Sequence, residues 1–160
     1  MDFMNEIMKK TLEASKPIES LNPALIKIID NGIMLTTNGG FFLREHSTSR
    51  VIEQSAGFYG DMLSDYENLI NKIHIDDYCD EFVFEESFYF LDSFTKKWME
   101  LFPKTKCVIS LSFQDDEDMG KMASFSFRIE REKAWFGNEI KVENFQQPIL
   151  IRYLNYKEPT

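Results

Sequence analysis

The sequence predicts an α+β fold, with N-terminal and central helices and a short hairpin packed on a C-terminal antiparallel β-sheet. Three observations carry that expectation. Apolar residues recur at three- and four-residue spacing through most of the first hundred positions. From Cys107 onward they alternate with polar residues instead. Asn38-Gly39-Gly40, between two short apolar runs, is the residue set that a tight hairpin turn demands.

Taking the elements in order, Phe3, Met4, Ile7, Met8 and Leu12 follow Asp2 at helical spacing, so a first helix is expected over 3–15, capped by Asp2 and stopped by Pro17. Asn22-Pro23 opens a second, and Asn31-Gly32 closes it. Strands are expected over 33–37 and 41–45, around the Asn-Gly-Gly turn. The pattern is helical again from Ser47. Either Ser47 or Ser49 serves as cap, Gly57 and Gly60 interrupt the helix, and Met62, Leu63, Tyr66, Leu69, Ile70 and Ile73 form its buried stripe.

Residues 74–84, "HIDDYCDEFVF", have no settled period and read as a connection with room for one short strand. Phe88, Leu91, Phe94, Trp98 and Leu101 then mark another helix, ended by Pro103. Cys107, Ile109, Leu111 and Phe113 share one face of a strand. Ala123, Phe125, Phe127 and Ile129 share one face of its partner, so the two make a hairpin covered on one side. A turn near Gly137-Asn138 and the run "PILIRYL" predict two more strands, the last over 148–154.

The chain has 160 residues, 43% apolar and 14% aromatic, which suits one globular domain over 1–160 with an ample core. The opening segment lacks the apolar run of a secretory signal, and no run spans a bilayer, so a cytoplasmic location is expected. Cys79 and Cys107 fit neither a disulfide framework nor a zinc site and read as buried thiols.

Net charge is −9, and its placement matters more than its size. Between Asp61 and Asp92 ten acids face one base, Lys72, while the rest of the chain holds 17 acids and 17 bases. Such a field repels phosphate backbones and anionic membranes and draws in cationic proteins. Neither nucleic acid nor membrane is therefore an expected partner, and no small-molecule ligand is expected.

The motifs bearing on chemistry are few. "FQDDEDMG" sets Asp115, Asp116, Glu117 and Asp118 at a hairpin tip, but a calcium loop begun at Asp115 has Met119 and Ser126 where ligands are needed. That leaves a solvated loop, available to a cationic surface. His46 beside Ser47 and Ser49 has no nucleophile elbow or oxyanion signature around it. His74, Asp76, Asp77 and Cys79 lack further ligands at metal-site spacing. No cofactor, metal or catalytic group is therefore expected. Phe82, Phe84, Phe88 and Phe90 read mainly as core, although acids mixed with Tyr78, Phe82 and Tyr89 have the composition of an interface.

These features favour a non-catalytic acidic protein that binds and neutralises a basic effector. In size, acidity and lack of catalytic motifs the chain resembles bacterial immunity proteins, and that resemblance implies a nuclease toxin domain as partner. The contact residues expected are Asp76, Asp77, Asp80, Glu81, Glu85 and Glu86, with Tyr78 as aromatic anchor and Asp115, Asp116, Glu117 and Asp118 as a second patch. The alternatives are an adaptor that binds through a sheet edge or the serine-rich sheet face, its acidity only solvating it, and a small enzyme or metalloprotein using His46 or His74.

Overall fold

The computed structural model describes residues 1–131 and 141–156. It has the α+β architecture expected. A five-stranded antiparallel sheet has the order Asp2–Met4 (β1), Ile149–Leu154 (β7), Cys107–Asp116 (β5), Gly120–Ile129 (β6) and Ile73–His74 (β4), and a separate two-stranded hairpin is made by Ile33–Leu35 (β2) and Phe41–Leu43 (β3).

The chain starts differently from the sequence expectation. Residues Asp2–Met4 form an edge strand, β1, paired with the last strand, and helix α1 begins only at Glu6 and runs to Ala14. Its cap is Asn5, not Asp2, because Asn5 does two jobs at once. Its Oδ1 accepts from Met8 N at 3.0 Å, while its amide nitrogen donates to the carbonyls of Gln147 at 2.7 Å and Phe145 at 3.3 Å. A buried side chain that satisfies both a helix start and a distant loop leaves no reason to extend the helix upstream.

Helix α2 spans Pro23–Asn31 with the expected caps. Asn22 accepts from Ala24 N, and Gly32 ends the helix at φ +76°, a conformation glycine adopts without steric cost. Strands β2 (Ile33–Leu35) and β3 (Phe41–Leu43) flank the Asn-Gly-Gly turn and are shorter than expected. A side chain on Gly40 would collide with Thr36 and with the Phe42 ring, so that position is limited to glycine by space.

The long helix expected from Ser47 is two helices, α3 (Ser49–Ser55) and α4 (Gly60–Ile70), broken at the glycines. Thr48, rather than either serine, caps α3 by accepting from Val51 N. Strand β4 is the dipeptide Ile73–His74, the short strand for which the connection had room.

Helix α5, Val83–Leu101, starts a full turn before the expected periodicity. The central hairpin pairs β5 (Cys107–Asp116) with β6 (Gly120–Ile129), and β7 (Ile149–Leu154) lies on the other side of β5. The strands run further toward the tip than expected. Asp115 and Asp116 belong to β5, and only Glu117, Asp118 and Met119 make the turn. The turn near Gly137-Asn138 and the strand expected beside it fall at residues outside the described ones.

The core lies between α5 and the alternating face of β5 and β6. Phe94 and Trp98 contact Phe125 and Phe127, and Phe84 stacks on Phe113 with ring centroids 4.3 Å apart. Offset and edge-on arrangements of this kind add to the burial term that dominates such a core. The sheet is not bare on its other face: Val108, Ile149, Ile151 and Tyr153 pack there with Val142, which corrects the expectation of a one-sided hairpin. No helix among the described residues is long and apolar enough to cross a membrane.

Candidate functional site

The acids divide into those that build the fold and those that face outward. Glu67 is entirely buried, and its two oxygens accept four hydrogen bonds. Phe41 N and Ile129 N each donate at 2.9 Å, and the Arg131 guanidinium contributes two more, the closer at 2.6 Å. Arg131 also donates to Ser64 and to Gly39 O, so one ion pair ties α4, the β2–β3 turn and the end of β6 together. Asn71, one turn further along, donates to Phe41 O and Phe127 O and accepts from Leu43 N. Asp65 lies 3.7 Å from Arg128, and Asp92 lies 2.8 Å from Arg152. Three of the ten acids between Asp61 and Asp92 thus meet arginines from elsewhere in the chain.

Three of the expected contact residues are also engaged within the fold. Asp76 accepts from Ala123 N at 2.9 Å, completing the edge of β6 beyond the two residues that β4 covers. Glu86 accepts from Asn22 N at 2.9 Å, which docks the start of α2 on α5. In the hairpin tip, Asp116 accepts from Asp118 N and Met119 N, and these two bonds hold its carboxyl below the usual range.

The rest face solvent. Asp77, Asp80, Glu81, Asp115, Glu117 and Asp118 are exposed, and Glu85 is half-buried in the first turn of α5, where the helix dipole favours a carboxylate. Among the described residues, no lysine or arginine forms a salt bridge with any of these seven.

Two adjoining hollows hold this acidic loop. One is lined by Asn22, Asp77, Tyr78, Asp80, Glu81 and Glu86, and the other brings Asp76, Asp80 and Val83 against Met119, Gly120 and Lys121 of the hairpin tip. Cys79, Asp80 and Phe82 line both. The loop and the tip, 30 or more residues apart in sequence, therefore meet at one surface.

Tyr78, the anchor expected from sequence, is half-buried and packs on the main core; burial, then Glu45 and Asp77, push its phenol up. Phe82 is the aromatic that stands out. It is 61% exposed, so it is not part of the core with Phe84 and Phe90, and its backbone is left-handed at φ +57°. Periodicity gave no hint of this, since Phe82 and Phe84 alternate as on a strand, whereas α5 begins between them.

The candidate reactive groups are dispersed. His46 Nδ1 lies 2.7 Å from Ile70 O, and His74 Nδ1 lies 3.2 Å from Ser124 Oγ. Ser47 donates to Arg44 O. Cys107 is buried; Cys79 is only half-buried, a departure from the buried thiol expected. Burial, with Glu86, Asp76 and Asp80 nearby, pushes the Cys79 thiol up to about 11, which suppresses the thiolate needed for nucleophilic chemistry. Among the described residues, no three of His, Cys, Asp and Glu converge as a metal-ligand set. A separate open hollow of ≈ 820 Å³ lies across the hairpin, over Phe84 and Phe113, with Gln114, Gln146 and Gln147 on its rim.

Comparison with known proteins gives relatives but no activity. A family model described as "Uncharacterized protein PM0498 family" matches residues 3–157. A curated protein of Pasteurella multocida (strain Pm70), "Uncharacterized protein PM0498", is 37% identical over 93 residues, a stretch covering 58% of this chain and 58% of that protein. The match thus spans little more than half the length of the relative. No solved structure matches.

Proposed function

This chain belongs to the Uncharacterized protein PM0498 family, and we propose that it is a non-catalytic binding protein that grips a basic protein partner through its acidic loop and hairpin tip. One observation carries the reading. Asp77, Asp80 and Glu81 line two adjoining hollows, one of which reaches the hairpin tip at Met119, where Glu117 and Asp118 precede it in the chain, and none of these five exposed carboxylates has a salt-bridge partner among the described residues. Charges packed in this way repel one another in the free protein, and a cationic surface relieves that repulsion on contact.

The partner this suits best is a basic effector such as a nuclease toxin domain, whose phosphate-binding lysines and arginines an acidic inhibitor can occupy in place of nucleic acid. Association would be steered, reaching about 10⁸ M⁻¹s⁻¹ at low salt. The sheet-edge adaptor reading has less support. The edge of β6 is closed by β4 and by the side chains of Asp76, Glu67 and Asn71, which take its free amides and a carbonyl. The opposite edge offers only the three residues of β1.

A photo-crosslinking residue at Asp80, introduced in the source cell, would trap the partner for identification and purification. A partner of net positive charge is expected, with an affinity that falls steeply with salt and at least about tenfold in the triple variant Asp77→Lys, Asp80→Lys, Glu81→Lys. A neutral or acidic partner, or an affinity indifferent to both salt and charge reversal, would overturn the proposal.

A further inference from the structure

Charge alone does not account for the exposed apolar side chains at the centre of this surface. Phe82 and Met119 are 61% and 74% exposed, come from segments far apart in sequence, and line the same hollow of ≈ 300 Å³. Acids surround them, while the cation in that hollow, Lys121, has its ammonium 5.1 Å from the centroid of the Phe84 ring.

The backbone at Phe82 sharpens the point. A left-handed residue before a helix is a place for glycine, and a phenylalanine there is held under backbone strain. In return it gives the fold little packing, because most of the ring lies in water.

Resting on the acidic-surface reading above, we infer that the Phe82–Met119 hollow receives one large apolar side chain carried on a cationic segment of the partner. The occupant is a protein segment in which lysines or arginines flank an aromatic or aliphatic residue. The flanking cations meet Asp77, Asp80 and Glu81, and the apolar residue enters between Phe82 and Met119. This is the arrangement of a binding hot spot, an apolar anchor ringed by polar contacts that exclude water. Phe82 and Met119 set specificity, since oligocations without the central residue gain only the electrostatic part.

Two synthetic nonapeptides test this by fluorescence polarisation at low ionic strength, one all arginine and one with its central residue replaced by tryptophan. The tryptophan peptide should bind the native protein about tenfold more tightly, as expected for a single anchor worth more than 1 kcal/mol. Phe82→Gly and Met119→Ser should each shrink that preference and leave the arginine peptide's affinity unchanged. Phe82→Gly should also keep or raise thermal stability, a result that a structural role for the ring would not give. Equal binding of the two peptides, or a preference that survives both substitutions, overturns the anchor while the acidic reading stands. If neither peptide binds, both fail together.

Discussion

At the scale of single residues, Glu67 shows how a side chain that reads as surface charge can be the most constrained group in a molecule. Its neighbours Met62, Leu63, Tyr66, Leu69 and Ile70 suggest an apolar stripe with Glu67 off it. Instead Met62 and Leu69 face solvent, and Leu63, Ser64 and Glu67 are buried. The reason is hydrogen bonding. The backbone amides of Phe41 and Ile129 and the guanidinium of Arg131 need an acceptor where α4 meets the two sheets, and that demand rotates the helix. No sequence pattern signals it, because the three donors come from segments 26 to 64 residues away. Glu67→Ala should cost about 3–5 kcal/mol in urea unfolding, the range for leaving a buried charge without its partner. Cys79 offers a second check. Its thiol is raised above the ordinary value of 9.0 in the folded chain, so between about pH 9 and 11 the unfolded chain loses this proton first. The contribution of Cys79 to stability is therefore present below pH 9 and declines as pH rises toward 11, and thiol-reagent labelling at pH 7.5 should be much slower than in a denatured control.

At the scale of elements, legibility follows how local the determining interactions are. Helix α2 could be read from its own residues, as Asn22, Pro23 and Gly32 act within a turn of it. So could the β5–β6 hairpin and β7, whose alternation is set by one buried face. Helix α1 could not. Asn5 and Asp2 are both able caps, and the choice is made by carbonyls at Phe145 and Gln147 and by the pairing of Phe3 with Ile151. The acidic loop was legible as composition only. Sequence marks Asp76 and Glu86 as contact residues, yet one completes a strand edge and the other docks a helix. Asp76→Ala should speed hydrogen exchange at the Ala123 amide and cost roughly 1 kcal/mol, the net worth of one such bond.

At the scale of the whole molecule, the charge asymmetry in the sequence divides into two populations with opposite consequences. Asp65, Glu67 and Asp92 are matched by Arg128, Arg131 and Arg152 and serve cohesion. The outward acids of the loop and tip work against it by mutual repulsion. The triple reversal Asp77→Lys, Asp80→Lys, Glu81→Lys should therefore leave the melting temperature unchanged or slightly higher while weakening binding. A large fall in melting temperature would assign those residues to the fold instead. Composition pointed to the segment, but only the meeting of residues 76–82 with the hairpin tip makes it a surface with an apolar centre.

The strand order also bears on how the protein comes into being. Strand β7 lies between β1 and β5, and Met1 exchanges backbone hydrogen bonds with Tyr153. During synthesis β1 therefore waits for a neighbour that emerges some 150 residues later, and β5 leaves the ribosome with one flank open. Assembly of the sheet is thus a late event of high contact order. The newborn chain's hazard is association between unfinished copies along that bare β5 flank, a hazard that ends when the last strand slots into place.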